Sequence, residues 1–363
     1  MLRFHPLAIA NRAPVADDAI ALTLAVPSAL AEEFRFRAGQ HLALKQVIDG
    51  QEERRTYSIV NPEGSAALTI GIRVQKDGRM SEHLARHAKV GDTIDVLTPN
   101  GSFRAQGGPG PRRYAAFASG SGITPVLSIA ATALAGNPGS RFQLWYGNTE
   151  RARAMFLEDV MALKDRNLAR FSVAFVMSRE PQDVEWLNGR IDAAKIRDFA
   201  RHDLRVPEVD EFFVCGPGSM GDEIPATLAA LGARGPIHVE HFAPVSGGQR
   251  AASPAPAGRA AAVPAAAAPG ASAEVTIVMD GRRRRFTMPR DGEVILDAAG
   301  RAGLDLPFSC RAGVCSTCRA KLVSGSAEME HNVALEDWEV EAGYILCCQA
   351  RPTSSALEIS YDE

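Results

Sequence analysis

Cys310, Cys315, Cys318 and Cys348 form the pattern C-x4-C-x2-C followed by one distant cysteine. Three thiols on a short loop and a fourth from a later segment can wrap a [2Fe–2S] cluster, in which each iron takes two thiolates. The cluster then stays near the surface, where electrons leave. A chain with such a loop must fold a small domain around it and needs a source of electrons. Gly313 lets the loop turn its backbone N–H groups toward the sulfurs, and Ser316 and Thr317 are small enough to crowd a sulfide. Structural zinc more often shows paired C-x2-C knuckles, and only one is present. Disulfides need an oxidising compartment. Arg3, His5, Pro6 and Arg12 interrupt any apolar core of a signal peptide, so the expected location is cytoplasmic. Chemistry alone leaves the fourth ligand open between the adjacent Cys347 and Cys348. Cys215 lies far upstream and belongs to another site.

At 363 residues the chain has room for two or three domains, and 46% apolar content suits ordinary cores. No apolar run is long enough to span a bilayer, so no membrane partner is expected. A net charge of −3 argues against nucleic acid. The basic run Arg282–Arg285 follows Asp280-Gly281 between strand-like segments and reads as a solvated hairpin strand. Residues 246–272 are nearly all Ala, Pro, Gly and Ser and read as a semi-flexible tether.

The tether separates different styles of sequence. Residues 1–108 alternate with period two, as in Ile20, Leu22, Leu24, Val26 and again Leu68, Ile70, Ile72, Val74. That pattern predicts an antiparallel β-barrel. In residues 109–245, short apolar runs alternate with helical stretches. Strands are expected at 114–118, 142–146, 173–177 and 212–215, with helices at 126–134, 153–163 and 220–231. The order predicts an α/β, doubly wound parallel sheet. In residues 273–363 a hairpin (275–279, 284–288), a helix (294–302), the cysteine loop and a strand (319–323) fit an α+β β-grasp fold.

Three motifs carry the chemistry of the first two regions. Arg55-Thr56-Tyr57-Ser58 offers a cation, a flat aromatic face and a hydroxyl within four residues, or is an ordinary strand with an exposed Arg. Gly78-Arg79-Met80-Ser81 opens a helix, whose N-terminal N–H groups suit a pyrophosphate, with Ser81 expected as N-cap. Gly120-Ser121-Gly122-Ile123-Thr124-Pro125 follows the strand at 114–118, and its glycines permit close backbone approach to a second pyrophosphate.

A barrel, a nucleotide-binding sheet and these motifs resemble the ferredoxin–NADP reductase family. That resemblance implies FAD, with Tyr57 as the flat aromatic face, Ser58 as a donor near flavin N5 and Arg55 as a phosphate cation. It places the FAD diphosphate at Gly78, Met80 and Ser81. Ile72, Arg73 and Val74 on the preceding strand are further contacts, Arg73 adding charge. Gly120, Gly122, Thr124 and Pro125 would receive the nicotinamide nucleotide's pyrophosphate. Cys215-Gly216-Pro217, followed by Met220, matches a motif beside the nicotinamide, with Cys215 a polarizable contact and no nucleophile. Ser178-Arg179, with Arg190 as a weaker second cation, is placed to hold a 2′-phosphate, so NADPH is favoured over NADH, although Glu180 lies close. Glu240 and Phe242 lie where relatives close the flavin site.

Residues 273–363 resemble plant-type ferredoxins, and that likeness favours Cys348 as fourth ligand and a potential near about −400 mV. Over nearly the whole chain, the domain order and the stretch from Leu306 to Cys318 resemble the reductase components of multicomponent oxygenases. The resemblance implies an electron relay from NADPH through FAD and the cluster to a di-iron oxygenase. Reductases of Rieske oxygenases, a general ferredoxin-type reductase and a redox sensor are the alternatives. Glu328, Glu330, Glu336, Asp337, Glu339 and Glu341 suggest an acidic face that steers a basic partner.

Overall fold

The computed structural model describes residues 3–241, 272–335 and 337–362. They fall into two compact units, one within Phe4–Pro244 and the other within Val245–Glu363. Phe242 and nearly all of the tether lie outside the described residues. The tether's expected last residue, Ser272, already begins a strand.

The first unit opens with β1 (Phe4–Ala16), β2 (Ala19–Ala25), β3 (His41–Ile48), β4 (Gln51–Ser58), β5 (Leu68–Arg73), α1 (Arg79–His87) and β6 (Thr93–Leu97). These strands form an antiparallel sheet in the order β4-β3-β6-β1-β2-β5. An antiparallel bridge between Ile59 and Ile70, with Val60 N–H bonded to Thr69 C=O at 2.9 Å, joins the two edges into a barrel. The alternating residues of the sequence point inward: Leu22, Leu24, Leu68, Ile70 and Ile72 are buried together. The N-terminal strand β1 carries Pro6 and Pro14 and has little alternation, so it is less legible, yet it pairs with both β2 and β6.

The same unit continues with β7 (Arg113–Ser119), α2 (Ile123–Gly136), β8 (Arg141–Asn148), α3 (Leu157–Arg166), β9 (Phe171–Met177), α4 (Ala193–His202), β10 (Glu211–Gly216), α5 (Gly218–Ala230) and β11 (Ile237–His241). The sheet is parallel, in the order β11-β10-β7-β8-β9. Its strands read as unbroken apolar runs because both faces are covered. In β10, Phe213 and Cys215 face one core while Phe212 and Val214 face the other.

The helix expected at 153–163 starts later. Arg151–Arg153 form a 3-10 turn, Phe156 has φ +54° and the α-helix begins at Leu157. The cause is tertiary. Asp17 N–H bonds Ala152 C=O, Phe156 N–H bonds Val15 C=O, and Arg153 donates to Asp18, so the segment is tied to the barrel.

The second unit comprises β12 (Ser272–Met279), β13 (Arg282–Pro289), α6 (Ile295–Arg301), β14 (Arg319–Ser324), β15 (Ala327–Met329), α7 (Asp337–Glu341), β16 (Tyr344–Leu346), β17 (Ala350–Pro352) and β18 (Ala356–Ser360). The main sheet runs β13-β12-β18-β14-β16, with β12 and β18 parallel at its centre, the β-grasp arrangement. The Arg282–Arg285 run lies exposed on the edge strand β13, and charges on an edge oppose pairing with another chain.

Candidate redox sites

The barrel and the parallel sheet meet at the carboxyl ends of β7 and β10. These two strands are neighbours, and the chain order reverses between them, the place where open α/β sheets bind ligands. Gly120 has φ +56°, and Gly120–Gly122 form a 3-10 turn before α2. A Cβ on Gly122 would lie 2.1 Å from the Cys215 carbonyl oxygen, so only glycine lets this loop rest on β10. Thr124 is buried and donates to the Ser121 carbonyl at 2.9 Å, fixing the start of α2, with Pro125 also in its first turn. A Cβ on Gly71 of β5 would fall 2.7 Å from the Thr124 methyl, so the barrel strand abuts this loop.

Cys215 pairs in register with Glu240 of β11, and its Sγ lies 3.7 Å from Glu240 Oε2. Burial pushes the thiol well above its ordinary range, and the Glu240 carboxylate adds to the shift. The thiol therefore stays protonated. Gly216 is packed against Met220, Pro217 caps α5, and Met220 is buried under the motif.

On the barrel side, Tyr57 and Ser58 end β4, and burial raises the Tyr57 phenol far above its usual range. Glu53 gathers two guanidinium groups, Arg55 Nη2 at 3.0 Å and Arg79 Nε at 3.3 Å. This cationic pair stands at the start of α1, where the first helical bond is Glu82 N–H to Gly78 C=O. The amides of Arg79, Met80 and Ser81 thus precede the ladder, as an anion site requires. The Arg79 side chain was not foreseen; its signal was its place at the first helical position.

One sequence expectation is corrected here, and the surroundings of four other residues are defined. Ser81 is not the N-cap. Gly78 is, and the Ser81 hydroxyl lies inside the first turn, accepting from Gln75 N–H and donating to Gly78 C=O. Arg73, like Arg55 and Arg79, has an ion-pair partner within the protein. It donates to Asp18 Oδ1 at 2.5 Å and to the Arg153 carbonyl at 2.7 Å, tying the barrel to the segment after β8. Ile72 and Met80 send their side chains into the barrel core, which leaves only their backbones for a ligand, while the Val74 amide bonds Asp18 C=O.

At the end of β9, Ser178 N–H and Arg179 N–H bond the carbonyls of Asn148 and Thr149, both at 2.9 Å. Gly189 N–H bonds Met177 C=O, which brings the Arg190 loop to the same strand end. Arg179 and Arg190 are exposed, and neither has an ion-pair partner among the described residues. Glu180 accepts from Arg151 N–H at 2.6 Å.

The cysteine loop has an unusual backbone. Arg311, Gly313 and Ser316 all have positive φ (+53°, +72° and +48°), which turns successive amides inward as an anion-binding nest. A Cβ on Gly313 would meet the His331 carbonyl at 2.7 Å. The thiols approach in two pairs. Cys315 beside Cys310, with the backbone amides of Ala312, Val314 and Cys315, holds Cys310 down to about 6, and Cys318 beside Cys348 lowers Cys348. Their partners Cys315 and Cys318 are pushed up correspondingly. Among the described residues no three ligating side chains converge as they would on a single ion. Two thiol pairs under inward amides are what a two-iron cluster requires, so these residues fit that group. Cys347 faces the core, fully buried, and burial pushes its thiol up to about 12.

The acidic face is smaller than expected. Glu339 is buried and paired with Arg319 at 2.9 Å, because α7 packs that side inward. Glu330 is paired with Arg351 at 2.7 Å. Glu328 and Glu341 remain exposed, and Glu336 and the Asp337 side chain lie outside the described residues.

Comparison with known proteins gives three domain matches along the chain. An oxidoreductase FAD-binding domain matches residues 6–105, an oxidoreductase NAD-binding domain residues 117–224, and a 2Fe-2S iron-sulfur cluster binding domain residues 277–353. The chain is 38% identical over its full length to a component protein of the 1,2-phenylacetyl-CoA epoxidase of Escherichia coli (strain K12), covering 99% of that protein. It is 31% identical to the ferredoxin reductase component of 3-ketosteroid-9-alpha-monooxygenase of Rhodococcus rhodochrous, over 95% of this chain and 93% of the other. Phthalate dioxygenase reductase has a similar fold (TM-score 0.59, 24% identity), with 98% of both chains covered.

Proposed function

This chain belongs to the family of oxygenase reductase components that join FAD-binding, NAD-binding and 2Fe-2S domains, and from that premise we propose that it is the NADPH-dependent reductase of a di-iron oxygenase, in phenylacetyl-CoA epoxidation during phenylacetate degradation. The 38% identity to an epoxidase component over the full length supports that partner. A flavin takes two electrons as hydride and releases them singly, and a [2Fe–2S] cluster carries one at a time.

The chain's own residues do the positioning. Arg55, Arg79 and the N-terminus of α1 bind the FAD diphosphate, and Gly78 keeps the approach open. Tyr57 covers the flavin ring, and Ser58 donates a hydrogen bond at its edge. Gly120, Gly122, Thr124 and Pro125 receive the pyrophosphate of NADPH, while Ser178, Arg179 and Arg190 hold its 2′-phosphate. Cys215, Gly216, Pro217 and Met220 line the nicotinamide pocket, with Glu240 closing it. Cys310 and Cys315 bind one iron, Cys318 and Cys348 the other. The observation that carries the reading is the meeting of Gly122, Cys215 and Glu240 with the barrel at one strand end. Hydride transfer needs donor and acceptor atoms within about 3.5 Å in a stacked pose, and a site shared by the barrel and the sheet suits that need.

Reconstitution tests the proposal. Mixed with the oxygenase components of a phenylacetyl-CoA epoxidase, the purified protein should support NADPH-dependent substrate epoxidation. Support only for a different oxygenase, such as a steroid monooxygenase, would move the assignment to that partner.

A further inference from the structure

No motif of the sequence singles out His41. It lies on β3 directly opposite Ser58 of β4 in the antiparallel register. Residues so paired carry their side chains on one face of the sheet, so His41 shares the face of Ser58. Its backbone is pinned on the other side to Asn100, by bonds of 2.8 and 3.0 Å. The residue is only 5% exposed. Gly101 makes room for the ring: its φ is +120°, and a Cβ there would stand 2.9 Å from His41 Nδ1.

Nδ1 faces Glu240 Oε1 at 3.9 Å, from the barrel to the last strand of the parallel sheet. The other carboxylate oxygen of Glu240 is the one near Cys215. The carboxylate is thus suspended between an imidazole from one sheet and a thiol from the other. At 3.9 Å the His41 contact is electrostatic and not a hydrogen bond, and the Cys215 contact is a long sulfur one, so the carboxylate has no single short bond that fixes it. His41 Nε2 is buried and has no hydrogen-bond partner among the described residues. A buried polar nitrogen left without a partner is unfavourable, and a bound group can supply the missing bond.

We infer that His41 is a positioning residue of the hydride-transfer site: it holds Glu240 in place across the barrel–sheet junction, and its second nitrogen is satisfied when a polar, ring-shaped cofactor occupies that junction. The inference rests on the reading that flavin and nicotinamide meet at this strand end. His41 does not touch the reacting atoms in this account. It sets where the Glu240 charge and the Cys215 thiol stand relative to them.

A double-mutant cycle on the FAD- and cluster-loaded protein tests this. His41→Leu, His41→Asn, Glu240→Gln and the double variant His41→Leu/Glu240→Gln are compared with wild type. NADP+ binding is read from the perturbation of flavin absorbance, and flavin reduction by NADPH from anaerobic stopped flow. The expected result is that His41→Leu weakens NADP+ binding and slows flavin reduction, each about tenfold, the scale of coupling between neighbouring groups. His41→Asn, whose amide can donate near the Nδ1 position, recovers most of both. The double variant is no worse than Glu240→Gln. Wild-type behaviour of His41→Leu, or fully additive losses in the double variant, would overturn the inference. So would equal loss of FAD content in the Leu and Asn variants, since that marks a merely structural residue. Failure of NADPH to reduce wild-type flavin would overturn the functional reading instead, and the NADP+ cycle would still decide the role of His41.

Discussion

The cluster loop and the barrel–sheet junction both aim polar groups at electron-rich ligands, by opposite routes. The loop does it locally: Cys310, Cys315 and Cys318 lie within nine residues, and positive φ at Arg311, Gly313 and Ser316 turns the amides inward. The junction does it by topology, bringing together His41, Ser58, Gly122, Cys215 and Glu240 from both sheets. The local site tolerates little change in ligand identity. The assembled site tolerates little change in packing.

The largest effect separates the two. Cys318→Ser should abolish the cluster's reduced EPR signal while NADPH still bleaches the flavin, because the junction owes nothing to that loop. Loss of flavin reduction in this variant would break the comparison. Gly122→Ala should do the converse. A methyl 2.1 Å from the Cys215 carbonyl must displace the loop. Such overpacking costs about 1–3 kcal/mol, enough to weaken NADPH binding on the order of tenfold or more in titrations of the flavin. Its cluster spectrum should be unchanged.

Arg179→Gln sharpens the nucleotide end. Losing one charge-assisted bond costs about 1.5–3 kcal/mol, so KM for NADPH should rise on the order of ten- to a hundredfold while KM for NADH stays level. Equal changes for both nucleotides would remove Arg179 from the 2′-phosphate site.

How much of this was legible follows from the same contrast. The four cysteines could be read because thiols are rare and their spacing is local. Parallel strands such as 212–215 could be read because burial on both faces leaves an unbroken apolar run. His41 could not, since nothing near it in sequence indicates that Glu240 comes within 4 Å. The Arg73–Asp18 pair is equally hidden, since the two residues lie 55 positions apart. The helix before Leu163 was placed too early because its first residues are bonded to the barrel, which no local propensity records. Helix α4 and strand β11 were missed outright. The helix carries only Ile196 and Phe199 as large apolar side chains, and the strand mixes His238, Glu240 and His241 among its apolar residues.

A smaller effect concerns pH. Glu211 at the start of β10 is fully buried. It accepts from the Gln106 and Gly107 amides and pairs with His238 at 3.2 Å. Burial alone would raise its carboxyl, but the His238 bond, the backbone amides and Arg112 together hold it lower than usual. A depressed folded value means the stabilisation is complete above the ordinary glutamate range, about 4.3, and is lost as pH falls through the folded value. The thermal midpoint of wild type should therefore drop more steeply with acid than that of Glu211→Gln. The smallest change expected is in Cys347→Ala. It should keep the cluster and lose only about 1 kcal/mol of stability, as for a small buried side chain.

A continuous relay from nucleotide to cluster is open to one decisive experiment, anaerobic titration of the holoprotein with NADPH followed by visible absorption and EPR. The expected result is flavin bleaching together with the rhombic signal of a reduced [2Fe–2S] centre, at lower nucleotide concentration with NADPH than with NADH. Flavin bleaching with no cluster signal would contradict it.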